Sequence, residues 1–318
     1  MHCLKSIHEI CANTSADSGH SCRRVDYWKK REETIWITLI YQRASLVHNA
    51  SSREVEYRDL MIEWTEETVR IDGYRQPIEL QCYIPTATEG PVLMFFHGGG
   101  FISGENEAAR LLAGRLASES RLPVVCVRYS LSPQFPFPVA LEDGYAALQW
   151  LARAGTAVLP AGGDPVLVGH DAGACLVTGL AAMARDRGGV PNAIAQVLIA
   201  PLLDPSLTMF DWSAGGSSYE LLGRYSRNYK AYLPNPSSTM HPYAAPLESY
   251  RLGRLPRALI AVPEMDCLRR EAEAYAGRLM SSGVHARLLR YRGCDHESIL
   301  GEATLHNDIR RFIHTTHC

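Results

Sequence analysis

From residue 78 onward the chain alternates short apolar runs with longer segments of helical period, and few folds accommodate that order. The runs are residues 80–84, 92–96, 124–129, 166–168, 197–199, 258–262 and 286–291. Turn residues flank them. Several are apolar throughout instead of alternating, as strands covered on both faces of a parallel sheet are. Helix-period segments at 107–120, 140–153, 173–187, 270–282 and 302–314 lie between or after them. The pattern predicts an α/β sheet with helices on both faces.

Two segments break the alternation. Residues 1–55 are mixed and polar-rich and are expected to form an N-terminal cap segment on a main domain of residues 56–318. Residues 205–245 carry Trp212, Tyr219, Tyr225, Tyr229 and Tyr232 with Gly215-Gly216 and several prolines, and read as a cap insertion. Both are placed to cover the C-terminal edge of the sheet, where ligands bind in such folds. The four tyrosines are candidate substrate-binding residues, with plain packing as the alternative. The run Ile35-Trp-Ile-Thr-Leu-Ile-Tyr41 is short and reads as a packed segment.

Composition narrows the partners. A net charge of -2 supplies no basic surplus for nucleic acid. No run of 18 apolar residues is present, so no membrane span is expected. The first 22 residues are interrupted by His, Glu and Asp before an apolar core forms, unlike a signal peptide. Nine scattered cysteines, never in a C-x-x-C pair, give no zinc spacing and no disulfide framework. The expectation is a cytoplasmic protein without metal or other cofactor, acting on a small hydrophobic molecule, with a homodimer left open.

Three short motifs carry chemistry. His97-Gly98-Gly99-Gly100 directly follows the run ending at Phe96. Glycines there let backbone N–H groups approach a ligand oxygen, as an oxyanion hole requires. Gly169-His170-Asp171-Ala172-Gly173-Ala174 follows another run and opens a helix, the pattern of a nucleophile elbow. Its central residue is Asp171; the alternative is a simple helix cap. Asp266 and His296 follow the last two runs, and nucleophile, acid, histidine is the chain order of α/β-hydrolases.

Taken with Val127-Arg-Tyr-Ser-Leu-Ser-Pro133, Phe137-Pro138, Glu142-Asp143, Trp150-Leu151, Leu255-Pro256, Asp266-Cys-Leu268 and Asp295-His296, these motifs resemble the hormone-sensitive-lipase-like carboxylesterase family over residues 92–312. The resemblance implies an α/β-hydrolase fold: a mostly parallel eight-stranded sheet flanked by helices, with a helical cap. It also implies Asp266 and His296 as acid and base, and Gly98, Gly99 and Ala172 as oxyanion donors. The chain departs from the family at the elbow, where Gly-Asp-Ser-Ala-Gly-Gly is expected and the serine is replaced by Asp171. In that respect it resembles epoxide hydrolases and haloalkane dehalogenases, whose elbow nucleophile is an aspartate, and ordinary serine esterase activity is not expected.

Chemistry then limits what Asp171 attacks. A carboxylate adding to an ester carbonyl gives an anhydride whose carboxylate leaving group has a pKa near ~4, so the adduct reverts. Attack at an sp³ carbon gives an alkyl ester that waits for water. Three functions are open: epoxide hydrolysis through an ester on Asp171, acting on a specialised metabolite; a cyclase or isomerase using Asp171 and His296 as an acid–base pair; or an inactive ligand-binding receptor. Plant gibberellin receptors resemble the last, but they keep the serine and lose the histidine, whereas Asp266 and His296 are both present in this chain.

Overall fold

A computed structural model describes residues 38–39, 64–88, 90–159, 164–214 and 218–315. Its strands are β1 (Thr38–Leu39), β2 (Trp64–Asp72), β3 (Pro77–Pro85), β4 (Leu93–Phe96), β5 (Val124–Arg128), β6 (Val166–His170), β7 (Ala195–Ile199), β8 (Arg257–Pro263) and β9 (Ala286–Tyr291). Its longer helices are α1 (Glu107–Ser120), α2 (Val139–Trp150), α3 (Ala172–Arg187), α4 (Ser218–Tyr232), α5 (Arg269–Ser281) and α6 (Ala303–His314).

The central strands are continuous apolar runs because each face meets its own hydrophobic layer. In β4, Met94 and Phe96 enter one core while Leu93 and Phe95 enter the other. In β5, Val125 and Val127 likewise oppose Val124 and Cys126. A side-chain period of two with both faces covered yields this pattern. Helices α2, α3 and α5 supply the first layer through residues such as Leu148, Leu180 and Tyr275. Helices α1 and α6 supply the second through Leu112, Leu116, Ile309 and Phe312.

Among the described residues the sheet runs β1-β2-β3-β5-β4-β6-β7-β8-β9. Pairing is antiparallel from β1 to β3 and between β3 and β5, and parallel from β5 through β9. Strands β2 to β9 are the eight-stranded α/β-hydrolase sheet that was expected, and the two-residue β1 is added at its edge. The alternation did not predict β2. Its sequence, Trp64-Thr-Glu-Glu-Thr-Val-Arg-Ile-Asp72, is largely polar, and Val69 is its one fully buried side chain. Apart from β1, which lies in the run 35–41, residues 1–55 fall outside the described residues.

The parallel strands bring their C-terminal ends to one edge. His97 follows β4, Asp171 follows β6, Asp266 lies three residues beyond β8, and His296 lies five beyond β9. That edge gathers side chains that are up to two hundred residues apart in sequence.

Candidate active site

Asp171 occupies a sharp turn between β6 and α3, with φ 51 and ψ −119. Positive φ costs a residue with a Cβ about 1–2 kcal/mol, so its neighbours must hold it there. Its N–H donates to the carbonyl of Ile199 at 3.0 Å, and its own carbonyl accepts from Ala174 at 3.1 Å and Leu202 at 3.3 Å. Gly173 passes so close to β4 that a Cβ on it would overlap the carbonyl oxygen of Phe96. The side chain makes no capping bond to α3, so the simple helix cap is not what this position builds.

The carboxylate has two unlike oxygens. Oδ2 accepts from the N–H of Gly99 at 2.9 Å and of Gly100 at 2.8 Å. Oδ1 is buried with no hydrogen-bond partner and faces Nε2 of His296 at 3.5 Å. On the far side of that ring, Nδ1 meets Oδ2 of Asp266 at 2.9 Å, and Oδ1 of Asp266 accepts from the N–H of Leu268 at 2.9 Å. The imidazole therefore lies between two carboxylates. His170 braces the same loop, its Nε2 reaching the carbonyl of His296 at 3.2 Å.

Burial opposes charge on Asp171, but the His296 side chain, the neighbouring His170 and the Gly100 amide outweigh it and hold the carboxyl below its ordinary range. Burial likewise opposes charge on His296, and the two carboxylates overcome it, raising the imidazole well above its ordinary 6.5. Both shifts favour an imidazolium flanked by two carboxylates. His296 gains its partners on folding, so its stabilising contribution is fully present below 6.5 and is lost as pH rises through the raised value. The contribution of Asp171 is present above 3.8 and is lost as pH falls through the lowered value. Replacing Asp171 by Asn removes one of the two carboxylates. The imidazole pKa of His296, followed by NMR titration, is expected to fall, and an unchanged value would mean that the two groups are not in contact.

Of the three expected oxyanion donors, Gly99 donates to the Asp171 carboxylate, and Gly100, which was not among them, does so as well. The Cα of Gly98 lies under His170, where a Cβ would be 2.5 Å from Nδ1. Ala172 opens α3 and makes no hydrogen bond to the carboxylate. The glycine loop is set by His97, whose ring stacks on Tyr129 at 4.3 Å while the Tyr129 hydroxyl donates to the His97 carbonyl at 2.8 Å. Burial pushes the His97 pKa down to about 4, so it is neutral. Gly100 has φ 58, and a Cβ there would overlap Nδ2 of Asn228. Gly100→Ala should therefore turn one donor away from Asp171 and lower turnover about 100-fold; activity within threefold of wild type would show that this N–H is not used.

The four tyrosines separate. Tyr225 is buried, with its ring 6.1 Å from that of His296. Tyr229 and Tyr232 pack on Phe101 with ring centres at 5.8 and 3.8 Å, and each hydroxyl is buried without a hydrogen-bond partner. Tyr219 is 81% exposed and leans on Trp212 at 5.1 Å, so it does not join the centre. Tyr225, Asn228, Tyr229 and Tyr232 have the spacing of one helical face, which the sequence carried but composition hid. Among the described residues no three His, Cys, Asp or Glu side chains group as a metal site, and no helix is long and apolar enough to cross a membrane.

Known proteins share this arrangement of strands. A family profile described as alpha/beta hydrolase fold matches residues 93–300. Esterase LipI of Mycobacterium tuberculosis is 34% identical over 224 residues, covering 67% of this chain and 68% of its own length. An arylesterase of Saccharolobus solfataricus is 30% identical over 242 residues, covering 75% and 78%. A hyperthermophilic esterase from the archaeon Pyrobaculum calidifontis superposes with a TM-score of 0.71 at 32% identity, covering 79% of this chain and 86% of that one. With the strand order, the turn at Asp171 and a profile that spans most of the sheet all in agreement, the chain belongs to the α/β-hydrolase fold family in which these esterases are its relatives.

Proposed function

We propose that this α/β-hydrolase opens epoxides with Asp171 as the nucleophile. The observation that carries this reading is the division of labour between the carboxylate oxygens. Oδ2 already fills the cradle of the Gly99 and Gly100 N–H groups, and Oδ1, outside that cradle, has no hydrogen bond and is ion-paired with His296 at 3.5 Å. An ester carbonyl arriving at the site finds that cradle occupied. An sp³ carbon needs no cradle of its own, because the negative charge of the second step develops on the Asp171 carboxyl oxygen that the donors already hold.

The electron and proton balance closes with residues in contact. Oδ1 attacks a ring carbon, the C–O bond breaks, and the alkoxide takes a proton from Tyr225. Burial and then the charges of Asp171 and Asp266 push the Tyr225 hydroxyl up, so it holds its proton until an alkoxide demands it. Once Asp171 is an ester, one of the two carboxylates that kept His296 charged is gone. His296 returns its proton to Tyr225 and becomes the base for water. Water adds to the Asp171 carbonyl carbon as His296 takes one of its protons; the adduct expels the second alkoxide, which takes the remaining water proton from the new Asp171 carboxyl group and leaves as the diol, and the imidazolium between two carboxylates is restored.

The relatives are named esterases, and this favours a second reading in which Asp171 and His296 activate water for direct attack on an ester. A single turnover in oxygen-18 water separates the two. Label found in the peptide that contains Asp171 requires a covalent ester on that side chain. Label found only in a carboxylic acid product, with none in Asp171, would replace epoxide opening by ester hydrolysis.

A further inference from the structure

Helix α4 presents four residues to the centre at positions 225, 228, 229 and 232, and three of them are tyrosines. Tyr232 stacks on Phe101, Tyr229 tilts against it, and Tyr225 meets His296. The fourth, Asn228, is 6% exposed and has no hydrogen-bond partner among the described residues. Its amide lies directly on the Cα of Gly100, so closely that any Cβ there would overlap Nδ2. The N–H of that same glycine donates to Oδ2 of Asp171 at 2.8 Å. A primary amide offers two donors and a carbonyl acceptor, and neither polar atom of Asn228 is among the fully buried ones, so part of its residual exposure lies at the amide head.

We propose that Asn228 hydrogen-bonds an oxygen function carried by the substrate beside its reacting carbon, so that the site selects oxygenated epoxides, such as epoxy alcohols, over hydrocarbon ones. The substrate class rests on the reading of Asp171 as nucleophile. A carbon held at Oδ1 for attack has its nearest substituents above the glycine cradle, and an oxygen one bond further out is within reach of an amide seated on Gly100. A substrate that covers this amide without offering it an oxygen leaves it unpaired, and sites built to hydrogen-bond a hydroxyl reject analogues that lack it.

Two probes differ by that hydroxyl alone: trans-3-phenylglycidol and trans-β-methylstyrene oxide. Their dissociation constants are measured by calorimetry with Asp171→Asn protein, which does not turn them over, and with the same protein also carrying Asn228→Leu or Asn228→Asp. The glycidol is expected to bind about tenfold more tightly than the methyl analogue. Asn228→Leu should erase the preference while leaving the methylstyrene oxide constant within about threefold, and Asn228→Asp, which keeps an acceptor for the hydroxyl, should retain it. A preference that survives Asn228→Leu, equal weakening of both probes, or no binding of either to Asn228 protein would each overturn the proposal. Turnover of the same probes by wild-type protein reports on Asp171 separately. An intact binding preference with neither diol nor covalent ester would remove the nucleophile and leave the role of Asn228 standing.

Discussion

Asp171→Asn is expected to abolish turnover, and His296→Gln to stop it one step later with a covalent adduct on the enzyme. The asparagine is nearly isosteric, and its carbonyl can still accept from Gly99 and Gly100, so the elbow should fold. Its amide is a far weaker nucleophile, and a loss of at least about a thousandfold follows. In His296→Gln the carboxylate is intact and attack on an epoxide proceeds, but the base that activates water is missing. Intact-mass measurement after substrate addition should then show one substrate equivalent bound, and peptide mapping should place it on Asp171. An inactive His296→Gln protein that binds substrate and carries no adduct would favour Asp171 and His296 as an acid–base pair for an isomerisation or cyclisation. Asn at such a turn deamidates, so the mass of the Asp171→Asn protein must be verified before any residual rate is assigned to it.

The part of the fold legible in the sequence is the part whose side chains answer to one rule. Strands β4 to β8 are buried on both faces, so their apolar runs are unbroken and their bounds are nearly those expected. Strand β2 escaped because an outer strand can carry Glu66, Glu67 and Arg70 and still pair fully with β3. Its hydrogen bonds, not its side chains, make it a strand, and backbone pairing leaves no compositional trace. Helix α4 was submerged in the aromatic segment 205–245 for a related reason. Its apolar face packs on Phe101 and the site, and aromatics, Asn228 and Lys230 share its turns.

The site was legible in its identities and less so in its geometry. Asp171, Asp266 and His296 were named from motif order, and the distances of 3.5 and 2.9 Å bring them together. Which glycine N–H groups meet the Asp171 carboxylate is not legible in the sequence. Three consecutive glycines are indistinguishable by composition, and only the turn, with Gly98 pressed under His170 and Gly100 at positive φ, decides which N–H groups face the carboxylate. Tyr219 was grouped with the other tyrosines by proximity in sequence, yet it precedes Tyr225 by six residues, a spacing that carries it off their helical face. Asn228 is not legible in the sequence, because a single amide in a polar segment has no motif.

Asp171→Ser should convert the chain toward the activity its relatives' names record. With the carboxylate removed, the N–H groups of Gly99 and Gly100 are freed, and a cradle that Oδ2 now fills becomes available to an ester carbonyl oxygen. The serine hydroxyl would stand at the same strained turn, beside Nε2 of His296, whose Nδ1 remains bonded to Asp266. Loss of the Asp171 charge also lowers the His296 pKa, favouring the neutral imidazole that a general base for serine must be. Hydrolysis of p-nitrophenyl acetate is therefore expected to rise about 100-fold over wild type, with epoxide opening lost. The gain is limited by Ala174, whose methyl is fully buried in the first turn of α3, and by Asn228, which narrows the space above Gly100. Adding Asn228→Ala should raise the esterase rate further by opening that space. A folded Asp171→Ser protein with no more esterase activity than wild type would mean that the glycine donors or His296 do not serve position 171, and the reading of Asp171 as nucleophile would fall with them.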